Sequence, residues 1–264
     1  MNRLTNGLMI IAIGAGMSHS IQAADFRDSV GPGDKDAKWV VGAAAYTSSN
    51  PYTGETEDSY FSPSIKYNGE KFFVNGANAS LGYSIAKWGN LSAGVIAGMN
   101  LSFLAKEEDF RDNALLNGLN ERDNTVDGGF YVNHTTDLGR FNVTVLTDLA
   151  GKHDGQSVGA SYTMDFTAGD WSINPTVGVQ WLSNNIVNHN FGVDATEATA
   201  FRSAYDAGPA VNWNAGIRGR YDITENWDLN LAAGVTRLDS SITNSSIIDD
   251  DYVSYGSISV GYSF

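Results

Sequence analysis

Hydrophobic and polar residues alternate with a period of two along residues 211–235. The apolar or small face of the first arm is Val211, Trp213, Ala215, Ile217, Gly219 and Tyr221. The opposite face is mainly polar, with Asn212, Asn214, Gly216, Arg218, Arg220 and Asp222. Successive side chains of a β-strand point to opposite sides, so this period predicts a strand. A polar turn at residues 223–226 leads to a second arm with the same alternation.

Two features of this hairpin predict that it crosses a membrane. Each arm has about ten residues, the length that a tilted strand needs to span a bilayer. Aromatic residues lie near the arm ends, where the interfacial girdle of a transmembrane barrel would fall.

The alternative is a soluble β-sandwich or lipocalin-like barrel. Its outer surface would need more charge than the Ser, Asn and Gly of the polar face provide.

The same alternation recurs from residue 39 to the C-terminus, and the connections between the apolar arms alternate in length. Short turns fall near residues 68–70, 88–90, 137–140, 168–170 and 223–226. Longer or more polar connections fall near residues 47–59, 104–124, 151–155, 184–209 and 239–251. Outer-membrane barrels have short periplasmic turns and longer outer loops. We therefore predict an all-β fold, a transmembrane antiparallel up-and-down β-barrel with both termini in the periplasm.

The number of strands depends on residues 71–87. This segment lies between two short turns, so it should contain two crossings, folded near Asn75-Gly76. An even strand number is usual for bacterial barrels. The count is then 12 strands, with 10 as the second choice.

The N-terminus has the pattern of a secretory signal peptide. Arg3 precedes an apolar stretch at residues 8–17, which is too short to span a bilayer, and small residues at 20–24 offer a cleavage site. We expect residues 1–24 to be cleaved, residues 25–38 to form a charged periplasmic arm, and residues 39–264 to form the barrel. The expected location is the bacterial outer membrane.

The last strand ends in a pattern typical of barrels that the outer-membrane assembly machinery recognises. Apolar residues occupy alternate positions up to a C-terminal aromatic residue, namely Ile258, Val260, Tyr262 and Phe264. Together with an export signal, this pattern predicts that the assembly machinery and the lipid and lipopolysaccharide of the outer membrane are partners.

Composition narrows the class of partner further. The formal net charge of −14 argues against a nucleic-acid-binding protein, which needs a basic surface. The 29 glycines against five prolines are more typical of a chain of many strands and turns than of a helical one.

Charged residues on the polar faces are candidate lumen residues. By alternation they are Lys66, Arg140, Asp148, Asp165, Arg218, Arg220 and Asp228, with Asp222 beside them. One interpretation is that they pair and fill a narrow barrel. The other is that they line a selective polar path. Only barrels of about 16–18 strands reliably enclose a wide water-filled channel.

The residues do not predict an enzyme. The mature chain would have three histidines, and only His153, next to Asp154 in a short outer loop, is a plausible base. A Ser-His-acid site needs a nucleophile and an orienting acid converging on the base, and no nucleophile motif stands out. His134 falls on an outward face, and His153 and His189 lack the spacing of a metal site. We expect no catalytic residue, no cofactor and no metal.

Several local motifs resemble the MipA/OmpV family of MltA-interacting outer-membrane proteins. They are Pro51-Tyr52-Thr53-Gly54, His153-Asp154-Gly155, Asn190-Phe191-Gly192-Val193 followed by Glu197-Ala198, and the segments 238–248 and 254–264. Together these motifs are spread over most of the mature chain, in a consistent order and spacing. Asn190 and Ile247 depart from the Tyr and Pro that the family pattern would suggest.

The resemblance implies a binding role. It suggests a non-enzymatic scaffold that brings a lytic transglycosylase and a murein synthase together at the outer membrane. Two alternatives stay open, a narrow pore for small solutes and a surface adhesin that uses the long outer loops.

Overall fold

The computed structural model describes residues 39–76 and 79–264. The predicted signal peptide and arm lie outside these described residues. The described part of the chain forms thirteen strands: β1 (Trp39–Ser49), β2 (Glu57–Asn68), β3 (Phe72–Asn75), β4 (Ser80–Trp88), β5 (Leu91–Asn100), β6 (Thr125–Thr136), β7 (Gly139–Asp148), β8 (Gln156–Met164), β9 (Phe166–Ala168), β10 (Trp171–Leu182), β11 (Ala210–Asp222), β12 (Trp227–Arg237) and β13 (Tyr252–Ser263).

These strands form one closed antiparallel barrel. Apart from β8 and β9, each strand pairs with its neighbour along the chain, and β1 also pairs with β13, from Val40 opposite Ser263 to Ser48 opposite Tyr255. Strands β8 and β9 both pair with β10 and are separated only by Asp165, so they make one interrupted crossing. The barrel therefore has 12 strands, as predicted, and the count of 10 is wrong.

The predicted alternation sets the two faces of the wall. In β7, Phe141, Val143 and Val145 are exposed on the outer face, whereas Asn142 and Thr144 are buried on the inner face. The outer band is thus apolar and the inner face mainly polar, the reverse of a soluble barrel.

The two ends of the barrel differ. We call the end with the connections 69–71, 89–90, 137–138, 169–170 and 223–226 the turn end, and the opposite one the loop end. Loops at the loop end contain a 3-10 turn (Phe103–Ala105) and the helices α1 (Glu107–Phe110), α2 (Asn184–Phe191) and α3 (Ser240–Thr243). The first loop spans only residues 50–56, shorter than the predicted 47–59, because β1 and β2 extend into it. Across the described residues, no helix is long and apolar enough to span a membrane.

Strand β3 is shorter than the other crossings of the wall. Both predicted strands are present in the segment 71–87, but β3 has only four residues. At about 3.3 Å per residue this is about 13 Å, before strand tilt shortens it further. The apolar band of an outer-membrane barrel is about 25 Å tall. Strand β3 therefore covers about half of that height, whereas β4 has nine residues and pairs with β5 from Ser80 to Trp88.

The apolar outer face predicts a depth-dependent effect of charge. Phe130 lies near the middle of β6, exposed on the outer face, and His134 lies on the same face near the turn end. We expect Phe130→Arg to destabilise the barrel by about 2–4 kcal/mol and His134→Arg by about 0–1 kcal/mol. Denaturant unfolding of the protein in lipid vesicles measures both. Equal effects would contradict a lipid-facing band.

Candidate functional site

Four loops meet above the lumen and form one hydrophobic core. We call this core the cap. Its buried members are Tyr52, Leu104, Phe110, Leu116, Leu119, Leu182, Ile186, Val187, Phe191, Val193, Ala207, Ala210, Leu238, Ile242, Ile247, Ile248 and Val253. The loops 50–56, 101–124, 183–209 and 238–251 start from strands on different sides of the barrel. Since they pack against each other, they must cross the mouth, and the cap covers the loop end.

Tyr52 joins three of these loops at the centre of the cap. Its ring stacks on Phe103 and Phe191, with centroid distances of 4.9 and 5.8 Å. Its hydroxyl donates a hydrogen bond to the carbonyl oxygen of Asn190 at 2.9 Å, and its backbone bridges Ile248. Burial raises the pKa of this phenol well above its usual value, so the hydroxyl stays a donor. The motif Pro51-Tyr52-Thr53-Gly54 thus has a structural role, because it connects the loops of the cap.

A buried ion pair fastens the loop 101–124 to the loop 183–209. The Glu197 carboxylate accepts hydrogen bonds from Arg122 Nη2 at 3.0 Å and from the backbone N–H groups of Asn120 and Asp194. Burial opposes its ionisation, but these bonds outweigh burial and hold the pKa of the Glu197 carboxyl below its usual range. The guanidinium of Arg202 also donates to the Glu197 carbonyl oxygen. The two loops therefore hold each other through one ion pair and several hydrogen bonds to buried groups.

The loop 149–155 is organised around the Asp148 carboxylate at the end of β7. This carboxylate accepts hydrogen bonds from the Thr125 hydroxyl and from every backbone N–H group of residues 150–154. Asp154 adopts φ +52°. A Cβ at Gly155 would lie 2.5 Å from Ile186 Cγ1, so only glycine fits against α2. The tight packing of this loop therefore explains the motif His153-Asp154-Gly155.

His153 lies beneath this loop between two carboxylates. Its Nε2 is 3.4 Å from Asp127 Oδ1, and its Nδ1 is 3.7 Å from Asp148 Oδ2. The three side chains have the residue types of a metal site, and their ligand atoms lie within 4.8 Å of one another. However, the Gly155 N–H donates to Nδ1 at 2.9 Å, which places the proton of a neutral ring on Nε2. A protonated Nε2 cannot ligate a metal, and the Asp148 oxygens are already saturated. His153 is thus held through Nδ1, whereas its Nε2 and Asp127 Oδ1 are buried without a hydrogen-bond partner among the described residues.

The other two histidines do not converge on a site of this kind. His134 is exposed on the outer face of β6, as expected. His189 lies on α2, with its ring 5.5 Å from that of His153 and its Nε2 3.0 Å from the Asp123 carbonyl oxygen. Burial lowers the pKa of His189, so its neutral form is favoured in the fold.

The charges that alternation placed in the lumen fall into pairs and half-buried groups. Arg220 contacts Asp222 at 3.0 Å and Asp228 at 3.4 Å, and the arginine and Asp228 are both buried. Arg140 lies 3.2 Å from Asp165, whose side chain is partly exposed beside the break between β8 and β9. Lys66 and Arg218 are half-buried. Asp148 belongs to the loop described above. Their role in a solute path stays a prediction.

Packed side chains also narrow the lumen on the side of β3 to β7. Phe73, Ile96, Tyr131 and Leu146 form a buried apolar cluster, with the rings of Phe73 and Tyr131 edge to face at 5.9 Å. Ile96, which breaks the polar face of β5 in the sequence, is thus an interior contact. A row of buried polar residues, which includes Asn142, Thr144 and Gln180, continues this packing.

Sequence reasoning missed two parts of this site. Asp127 alternates with Val126 and Gly128, so the period of two could have placed it in the lumen. The cap residues have no such signal, because their contacts join loops that are distant in the sequence.

A closed antiparallel barrel with an apolar outer band, a polar interior and folded loops at one end defines an outer-membrane β-barrel protein. Residues 41–264 match the family described as MltA-interacting protein MipA. The chain belongs to this MipA/OmpV family.

Several relatives are outer-membrane proteins by name. Outer membrane protein OmpV of Vibrio cholerae is 28% identical over 217 residues, covering 81% of this chain and 82% of the relative. Outer membrane protein Omp26La of Vibrio anguillarum is 26% identical over 215 residues, with 81% and 82% covered. The MltA-interacting protein of Escherichia coli K12 is 25% identical over 239 residues, with 89% and 94% covered. The protein is located in the outer membrane.

Among solved structures, the translocator domain of the autotransporter NalP from Neisseria meningitidis is 12% identical, with a TM-score of 0.45. It covers 92% of this chain and 94% of its own. The NanC porin is 10% identical, with a TM-score of 0.42, and covers 86% and 100%.

The low pKa of Glu197 predicts that acid loosens the cap. A carboxyl whose pKa is lowered by folding stabilises the fold above its unfolded pKa, about 4.3 for Glu, and loses that contribution as the pH falls through the folded value. We expect protease resistance of the loops 101–124 and 183–209 to fall below about pH 4.

The substitution Glu197→Gln tests the same carboxylate at neutral pH. It leaves Arg122 buried without its counter-charge. We expect it to destabilise the cap by about 3–5 kcal/mol at neutral pH and to flatten the acid dependence. The fully exposed Asp112, in the loop that carries Arg122, provides the control Asp112→Asn, which should change neither the stability of the cap nor its acid dependence. Limited proteolysis followed by mass spectrometry distinguishes the variants. An unchanged pH profile in Glu197→Gln would refute this role.

Proposed function

We propose that this protein is a non-enzymatic outer-membrane scaffold that holds cell-wall enzymes at its turn end. The observation that carries the proposal is the cap. A barrel that is covered at one end and narrowed inside is better suited to binding at its surface than to transporting solutes. We place the turn end in the periplasm, following the usual arrangement of short turns in outer-membrane barrels.

The environment of His153 supports a role without catalysis. A general base needs a ring nitrogen directed at the group from which it takes a proton. Here Nδ1 accepts the Gly155 N–H and Nε2 faces the buried Asp127 carboxylate. The side chain of His153 is only 1% exposed, so a substrate has no access to it.

Apolar residues at the tips of two short turns offer a docking surface for a protein. Leu138 is 76% exposed in the connection 137–138, and Ile223 is 52% exposed in the connection 223–226. Both turns lie at the turn end of the barrel. The name of the E. coli relative, MltA-interacting protein, supports a lytic transglycosylase as the partner. A murein synthase held by the same complex would be the second partner.

A second candidate function, surface adhesion, is favoured by Phe201 in the loop 183–209. Its ring is 87% exposed. The Thr199 hydroxyl oxygen accepts the backbone N–H groups of Phe201 and Arg202, and the buried Arg202 fixes the turn. A rigidly held exposed aromatic residue is a typical anchor for binding.

The scaffold proposal predicts that charge at the turn tips abolishes partner binding. We expect Leu138→Asp combined with Ile223→Asp to reduce co-purification of a lytic transglycosylase at least tenfold, with the barrel still folded. Mild detergent extraction followed by affinity purification measures this. The control is Phe201→Ser at the loop end, which should leave co-purification unchanged. Absence of any murein enzyme from the wild-type eluate would count decisively against a scaffold.

The adhesion candidate makes the opposite prediction for the same control variant. Phe201→Ser should weaken attachment of whole cells to a host surface several-fold, whereas the double substitution at the turn tips should not. Equal attachment of wild type and Phe201→Ser would remove this candidate.

A further inference from the structure

The inner face of the barrel is packed unevenly. On β6, β7 and β10, inward side chains such as Tyr131, Thr144 and Gln180 are buried. On β11, β12, β13, β1 and β2, the inward residues at mid-height are half-buried or exposed, namely Arg218, Ala232, Tyr255, Ser257, Tyr46 and Tyr60. A side chain on the inner face is exposed only towards the lumen. The accessible space of the lumen therefore lies along these five strands.

Strand register arranges the residues around this space in two adjacent rows. The first row runs across the five strands as Arg218, Ala232, Ser257, Tyr46 and Tyr60. The second row lies two residues nearer the loop end and runs as Gly216, Gly234, Tyr255, Ser48 and Asp58. Residues two apart on a strand share a face, so both rows face the lumen. We call the space over these two rows the side cavity.

Tyr255 provides a flat aromatic surface in the side cavity. A Cβ at Gly234 would lie 2.5 Å from Tyr255 Cζ, and one at Gly216 would lie 2.8 Å from its hydroxyl oxygen. The ring therefore rests against the wall, where two glycines leave room for it. Tyr255 is nevertheless 41% exposed. Because the wall covers one side of the ring, the exposed side faces the side cavity.

Arg218 places a positive charge at one border of the side cavity. Its guanidinium is close enough to the Tyr46 phenol for an electrostatic interaction, with only the small Ala232 and Ser257 between them in the row. The Tyr46 ring in turn stacks on Tyr60, with a centroid distance of 5.5 Å. A guanidinium has five N–H donors, so Arg218 can bind a carboxylate through two of them and keep other contacts.

Asp58 places a carboxylate at the opposite border. It lies on the inner face of β2, is exposed, and accepts a hydrogen bond from Asn50 Nδ2 at 3.1 Å. An ionised carboxylate only accepts hydrogen bonds, so it suits hydroxyl groups of a ligand and repels a second negative charge. Between Arg218 and Asp58 the two rows offer the neutral hydroxyls of Ser257 and Ser48. The side cavity thus combines a cation, a ring surface and several hydroxyl partners.

We propose that the side cavity binds a sugar that carries one carboxylate. The C–H face of the sugar ring lies on Tyr255, because an aromatic face carries partial negative charge and attracts polarised C–H groups. The sugar carboxylate pairs with Arg218, and its hydroxyls donate to Asp58. A concave, partly apolar space with a few directed polar groups is typical of small-ligand sites. This ligand-binding function is independent of any partner at the turn end.

The first test measures ligand class with the full-length protein in lipid nanodiscs. The probes are glucuronic acid and N-acetylmuramic acid, which carry a carboxylate, with glucose and acetate as the neutral sugar and the bare anion. Saturation-transfer NMR reports contact with each probe. We expect one or both acidic sugars to bind about tenfold more tightly than glucose and acetate. Preference for one acidic sugar identifies its source. Binding of neither, or equal binding of glucose or acetate, would overturn the proposal.

The second test compares matched tyrosines on the two faces of β13. Tyr255→Leu removes the ring surface in the side cavity, whereas Tyr252→Leu removes an exposed tyrosine from the outer face of the same strand. We expect Tyr255→Leu to weaken binding of the acidic sugar about tenfold, and Tyr252→Leu to leave it unchanged. Circular dichroism checks that both barrels are folded. Equal affinities in the two folded variants would contradict the site.

The third test compares matched arginines and separates charge recognition from packing. Arg218→Gln should reduce binding of the acidic sugar about tenfold, to the level of glucose, and leave glucose binding unchanged. The control is Arg237→Gln on the outer face of β12, which should change neither. A loss of both sugars in Arg218→Gln, or an unchanged preference for the acidic sugar, would refute the assigned role of Arg218.

Discussion

Hydrogen bonding of the backbone in hydrocarbon is the constraint on which this structure depends. An unpaired N–H or C=O group costs several kcal/mol where no water can reach it, so a spanning sheet must close on itself. The pairing of β1 with β13 makes this closure, with Ser263 opposite Val40 near the C-terminus. Once the wall is closed, its outer face must be apolar, and the inner face is left for polar groups.

The cap is the part of the molecule that behaves like a soluble protein. Its loops bury apolar side chains against each other, as a small globular domain does, and satisfy charges such as Glu197 and Arg202 within the core. The barrel positions these loops around one mouth, so loops distant in sequence become neighbours. Asp148 shows the link between the two parts, because the last residue of β7 organises the loop above it.

The sequence predicted the barrel well because the physical signal of a membrane strand is periodic. Alternation in β11 and β12, the short turns and the C-terminal Phe264 all follow from lipid on one side and water on the other. The cap could not be predicted, because Tyr52 and Phe191 meet only after the barrel has closed. The motifs that resemble the MipA/OmpV family lie largely in these unpredictable contacts. The short length of β3 could not be predicted either, since parity gives the number of strands and not their lengths.

A barrel that is covered by its loops should not conduct ions. The most direct measurement is the current through planar lipid bilayers containing the purified full-length protein. A barrel covered at the loop end and narrowed inside should give no channel steps above the lipid background. Removing residues 194–206, which carry Glu197 and Arg202, should loosen the cap and produce steps. Stable steps in the wild type that change when Arg218 or Arg220 is neutralised would contradict the account and establish a pore.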